Sequence, residues 1–239
     1  MIAERKFGRP FLLADDSEWD QREDGMKFRL TYEGRLESSG NASGKARHKH
    51  EIRKAFHPQL KQLWQIEPNL SNFRAHPHYH EGDKQNGGQG KTPVWEAIAH
   101  AYRRCGYRFV PLAPLPCGNR EFSLLIGVDI LLLRQGAPGT IMKQGDIDGR
   151  LKTLFDALRM PSNQGELDGY NEPGEGEDPF FVLLEDDKLL NHVSVETDTL
   201  LQPTPSANGE YLVNDARVVI TVTTKPYWVL PDFVGFVSN

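Results

Sequence analysis

Cysteine is nearly absent: only Cys105 and Cys117 occur in 239 residues. Their spacing matches neither a disulfide framework nor a Cys-rich zinc site, so two free thiols in a reducing cytoplasm are expected. Long apolar runs are missing too. No stretch reaches the ~20 residues of a membrane helix, and Met1 to Lys6 lack the apolar core of a signal peptide, so no membrane partner is expected. The third shortage is positive charge. Lys and Arg total 28 against 33 Asp and Glu, a net charge of −5, whereas nucleic-acid binders usually carry a basic surplus that displaces counterions from phosphates. The distribution of charge matters more than its sum. Six acids (Glu166, Asp168, Glu172, Glu175, Glu177 and Asp178) crowd the stretch Pro161 to Pro179, and without them the balance is +1 rather than −5. DNA is not excluded.

What is present supports one good core with decorations. Residues 1–25 lack periodicity and read as an extension, leaving 26–239 as a single domain with insertions near 71–92 and 161–179. Met26 to Leu36 alternates apolar and polar residues as a half-buried strand does. A basic helix is expected from Lys45 through Phe56, stopped by Pro58, with a second short helix through Trp64. His76, His78 and His80 alternate along one segment, without the Cys or helical spacing that a zinc site needs. A helix begins at Thr92-Pro93 and ends at Gly106. Phe122 to Leu133 reads as a central strand, and His192 to Leu200 and Ala216 to Thr224 as the last two. The Gly-, Pro- and acid-rich stretch Pro161 to Pro179 reads as a flexible insertion, placed to form a lid. The aromatic tail Tyr227 to Phe233 suits a dimer interface or a strap over the core. This order predicts an α+β domain, a mixed β-sheet with helices packed on one face.

Two acidic segments carry the chemistry. Asp146-Ile147-Asp148 opens an amphipathic helix whose Leu151, Leu154, Phe155 and Leu158 recur at i, i+3, i+4, i+7. Asp148 takes an N-cap or first-turn position, with Lys152 one turn on. Glu185-Asp186-Asp187 closes the apolar run Phe180 to Leu184. Carboxylates on two such junctions suit a hard divalent cation, which prefers oxygen ligands. A phosphodiester would be repelled by bare carboxylates, and a cation reverses that sign. A nearby lysine offsets charge growing on phosphate or orients the attacking water. The same residues would otherwise be an ordinary helix cap, an i, i+4 ion pair and a solvated turn.

The run Gly145 to Leu158, with Leu184-Glu185-Asp186-Asp187-Lys188 after it, resembles the signature of the RusA family of Holliday-junction resolvases. The resemblance covers about Asp146 to Glu196, and Gly149 stands where the family has Asn. It implies a RusA-like fold and a homodimeric endonuclease that hydrolyses branched DNA with Mg²⁺, or Mn²⁺ in its place. It also implies Asp146, Asp148 and Asp187 as metal ligands and Lys152 as the catalytic lysine, with Asp186 the second-choice ligand. Lys45, Arg47, Lys49, Arg53 and Lys54, with Lys143 and Arg150, are then the candidate phosphate contacts. Two other readings remain: a non-catalytic member of the fold that binds DNA or protein, and a hydrolase of nucleotides or RNA.

Overall fold

The computed structural model describes residues 25–38, 45–72, 93–115, 123–134, 147–201 and 215–228. Asp146, Lys143, the three alternating histidines, the first 24 residues and most of the aromatic tail lie outside them. The alternating first segment forms β1 (Lys27–Arg35) and pairs antiparallel with β7 (Asp215–Trp228). The most hydrophobic run forms β4 (Ser123–Arg134), antiparallel to β7 on one side. On its other side it is parallel to β6 (Leu190–Thr199). The sheet order is thus β1-β7-β4-β6.

Period-two burial makes this a one-sided layer. Val218, Ile220 and Val222 of β7 and Val128, Ile130 and Leu132 of β4 are buried, while Asp129 between them is exposed. Leu30 and Leu36 continue the inner face, and the helices bury it.

The long helix α1 (Lys45–Ile66) runs unbroken for 22 residues with Pro58 inside it. An interior proline costs about 3 kcal/mol. Ile52, Phe56, Leu60 and Trp64, all at most 2% exposed, form a buried stripe along the same helix. Each such side chain gains roughly 1.5–3 kcal/mol on burial, so the stripe outweighs the proline and the expected break does not occur. A single turn, α2 (Pro68–Ser71), follows.

Helix α3 (Val94–Ala101) stops earlier than expected. Gly106 does not end it. With Cys105 it makes a two-residue turn in which both φ are positive, 54° and 81°, the geometry of a type I′ hairpin. That turn joins β2 (Arg103–Arg104) to β3 (Tyr107–Ala113), and β3 lies parallel to β5 (Phe180–Leu184). Among the described residues the strands form two mixed sheets, the second ordered β2-β3-β5, rather than the single sheet expected. The α+β class holds.

Helix α4 (Ile147–Leu158) connects the sheets: it packs on α1, and Arg159 just after it bridges to Leu184. The acid-rich segment between α4 and β5 is not the loose lid its composition suggests. Leu167 is fully buried in an aromatic cluster with Tyr102, Tyr107, Phe109 and Phe180. Tyr107 Oη donates to Glu172 O at 2.8 Å, and Arg108 grips Asp178 with two hydrogen bonds.

Candidate metal centre

Helix α4 presents two kinds of surface. Leu154, Ala157 and Leu158 are buried in the main core, with Leu151 and Phe155 packed half-buried beside them. Asp148 in the first turn and Lys152 one turn later are both exposed. Spacing of i, i+4 puts them on one stripe. Among the described residues Lys152 forms no hydrogen bond or ion pair, so its ammonium faces water. The helix dipole favours an acid at the position of Asp148. Thr153 Oγ1 donates back to Gly149 O at 3.0 Å within the first turns of the helix.

The second acidic segment follows a strand with no exposed residue. Every residue of β5 is buried, and the chain then turns sharply. Glu185 is used by the fold: its N–H donates to Ala113 O at 3.0 Å and its carboxylate accepts from Leu115 N at 2.7 Å. Asp186 caps the 3₁₀ turn Asp187–Leu189, accepting from Lys188 N at 3.0 Å. That N–H, with a hydrogen bond to Asp187, holds the Asp186 carboxyl below the usual aspartate range. Asp187 itself is exposed.

Asp148, Lys152 and Asp187 are thus exposed motif residues, while the carboxylates of Glu185 and Asp186 accept from backbone N–H groups. Among the described residues, no three His, Cys, Asp or Glu side chains come together as a group able to hold a metal ion. The ligand set expected from the resemblance includes Asp146, which lies outside them. The donors are all carboxylate oxygens, the chemistry that suits Mg²⁺ or Mn²⁺.

The basic helix departs from the expected phosphate patch. Arg53 is 1% exposed, donating from Nε to Arg159 O at 2.9 Å and from Nη2 to Asp156 O at 2.8 Å. A guanidinium so placed closes the carboxyl end of α4 and does not reach a phosphate. Lys49 pairs with Asp156 at 2.6 Å, with both side chains largely buried. Lys54 pairs with Glu177 at 2.7 Å and lies 4.9 Å from the Tyr170 ring centroid. Arg47 is exposed, pairing with Glu51 at 3.6 Å. Arg150 is 2% exposed and donates to Leu36 O. The acid-rich segment takes up one cation of this helix, Lys54 through Glu177, while Asp156 of α4 takes Lys49.

Two residues carry a role that charge patterns did not single out. His50 is fully buried beneath Tyr170, its Nδ1 3.1 Å from Arg53 Nη1. Burial, then the Arg53 charge, pushes its pKa down to about 4, so the ring is neutral. His57 links two elements, accepting from Phe181 N at 2.9 Å while Nε2 meets Gly176 O at 3.1 Å. The signal was their spacing: His50, Arg53, Lys54 and His57 follow i, i+3, i+4, i+7, the stripe of an inward helix face.

No family model, curated protein or solved structure matches this chain.

Proposed function

We propose that the protein is a RusA-like, metal-dependent endodeoxyribonuclease that hydrolyses phosphodiesters in branched DNA. The observation that carries this reading is the outward presentation of the motif. Asp148 in the first turn of α4 and Lys152 one turn on, with Asp187 just past β5, are exposed on or beside elements whose other faces are buried. Charged groups that a core does not use, held on rigid supports, are what a reaction on an external substrate requires.

Asp146, Asp148 and Asp187 would hold Mg²⁺, with Asp186 adjacent; when bound, the ion supplies Lewis acidity to the phosphoryl group and cancels the repulsion between acids and backbone. Asp186 orients the turn by capping it, which fixes where Asp187 stands. Lys152 supplies a cation one turn from Asp148 that offsets charge developing on the phosphate. A protomer with one such site suits paired cuts on a junction as a homodimer.

The test incubates the protein with a four-way junction, linear duplex and RNA of matched length in Mg²⁺. Preferential cutting of the junction supports the reading, and cutting of RNA alone or of nothing refutes it. The second reading, a non-catalytic binding module, is favoured by one observation: the described side chains alone hold no metal-binding group of three. Calorimetry separates the two, since a dead site takes up no Mg²⁺ near millimolar concentrations.

A further inference from the structure

The four-stranded sheet ends in two unlike edges. On β1, the exposed outer positions Lys27, Arg29, Glu33 and Arg35 are all charged. Gln59 of α1 also closes that edge: its Oε1 accepts from Thr31 N at 2.9 Å and its Nε2 donates to Thr31 O at 2.8 Å. Charges and a covering group are how sheets keep an edge from pairing with another chain. Strand β6 has neither. Leu190–Thr199 contains no Lys, Arg or Pro, and among the described residues β6 pairs with β4 alone. Asn191, His192, Val193 and Ser194 are exposed at four consecutive positions, so both faces of the strand are open there. Val193, opposite buried Val128 on the core side, is 45% exposed.

The pattern along β6 is self-complementary. Ile126 pairs with Leu190 and Gly127 with His192, so Asn191 is a bulge, and the register with β4 then runs without interruption. Ser194 lies opposite exposed Asp129, and His192 Nε2 is 3.3 Å from Asp129 Oδ1. His192, Ser194, Glu196 and Asp198 therefore line the outer face, and Val193, Val195 and Thr197 the inner one. Two copies related by a two-fold axis pair antiparallel, and opposed residues share a face only if one residue meets its own copy. With Val195 at the axis, the regular stretch 192–198 pairs along its whole length. His192 then stands opposite Asp198 and Ser194 opposite Glu196, so each outer carboxylate faces a group able to donate to it. On the inner side Val193 meets Thr197 and Val195 meets itself, β-branched pairs that suit a sheet. A shift of one residue toward the carboxyl end sets Glu196 against itself, and a shift of two sets it against Asp198, like charges directly opposed. A shift the other way brings the bulged Asn191 into the ladder.

We propose that β6 is a homodimer interface: the strand pairs with β6 of a second copy across a two-fold axis at Val195, joining two four-stranded sheets into one. The interface rests on β6. That the dimer serves paired cuts on a junction rests on the nuclease reading.

The experiment measures the mass of the full chain by sedimentation equilibrium. A dimer is expected. Ser194→Glu sets a carboxylate against Glu196 at two places and is expected to raise the dimer dissociation constant at least about tenfold, with native circular dichroism. Adding Glu196→Lys to that variant is expected to restore the dimer. A native chain that stays monomeric or assembles past a dimer overturns the interface. So does Ser194→Glu at native affinity, or a double variant no tighter than the single one. A cysteine arm reads the register. Under mild oxidant Val195→Cys is expected to cross-link above the native background. Thr197→Cys is not, because its two copies stand about 14 Å apart in this register. Equal cross-linking of the two variants overturns the axis at Val195. Neither arm reads cleavage, so the interface and the nuclease reading fail separately.

Discussion

Replacing Arg53 by Met removes a buried guanidinium that joins α1 to the end of α4 by two hydrogen bonds and holds His50 of its own helix by a third. Met fills much of the stem's volume, so the change tests polar pairing more than packing. Two backbone carbonyls, of Asp156 and Arg159, lose a donor in a site that water does not reach. Each buried group left unsatisfied costs about 1–3 kcal/mol, and His50 loses its partner as well. A loss of about 3–5 kcal/mol is expected, the range for removing one partner of a buried charged set. For a chain of this size that lowers the melting temperature by roughly 6–20 °C. Arg53→Lys should fall between, because an ammonium keeps the charge but not the planar fork that reaches both carbonyls. Thermal and urea unfolding measure it. An Arg53→Met protein within about 0.5 kcal/mol of the native one, with DNA binding weakened instead, would refute the structural role and restore Arg53 to a phosphate-contacting surface.

Other expectations concern pH, catalysis and core packing. His50 is held neutral, with its pKa lowered from 6.5 to about 4 by burial first. In the unfolded chain it takes a proton at its ordinary pKa, so stability is full above about pH 6.5 and falls as pH drops toward 4. The slope is up to about 1.4 kcal/mol per pH unit, moderated by Glu177 and reinforced by Arg53 and Lys54 nearby. Urea midpoints at pH 7 and pH 5 should show it, and His50→Phe should flatten the difference; identical midpoints for the native protein would contradict it. Lys152→Ala should cut junction cleavage about 10²–10³-fold, the cost of one transition-state donor, with unfolding unchanged because the side chain is exposed. Unaltered cleavage would remove Lys152 from the chemistry. Leu154→Ala, at a fully buried position, should cost about 2–5 kcal/mol, and a smaller loss by calorimetry would mean that α4 packs loosely.

Elements whose signal is local were legible in the sequence. Strand β1 announces itself by alternation, β4 by its apolar run, β7 by its β-branched residues, and α4 by its apolar stripe. Strand β3 did not, because Pro111 argues against a paired strand. It is tolerated since β2 pairs only with Tyr107 and Arg108, which leaves the other edge of β3 unpaired at the proline. Pro58 misled in the opposite direction, as four buried side chains hold α1 together across it. The acid-rich segment failed for a third reason. Its anchors, Leu167 and Glu177, are buried only because distant elements meet them, and composition carries no record of such partners. Charges follow the same rule. The sequence displayed the cations of α1, but the carboxylates that take Lys49 and Lys54 lie more than a hundred residues away, at Asp156 and Glu177.

The proposed metal site is probed most sharply by single-turnover cleavage of a labelled four-way junction in Mg²⁺, comparing the native protein with Asp146→Asn, Asp148→Asn and Asp187→Asn. Metal-dependent cutting by the native protein is expected, with loss of cutting in each variant and melting temperatures near the native value. Undiminished cutting by the Asp146→Asn and Asp187→Asn proteins, or no cutting by the native protein at any Mg²⁺ or Mn²⁺ concentration, would contradict a carboxylate-held metal as the source of the activity.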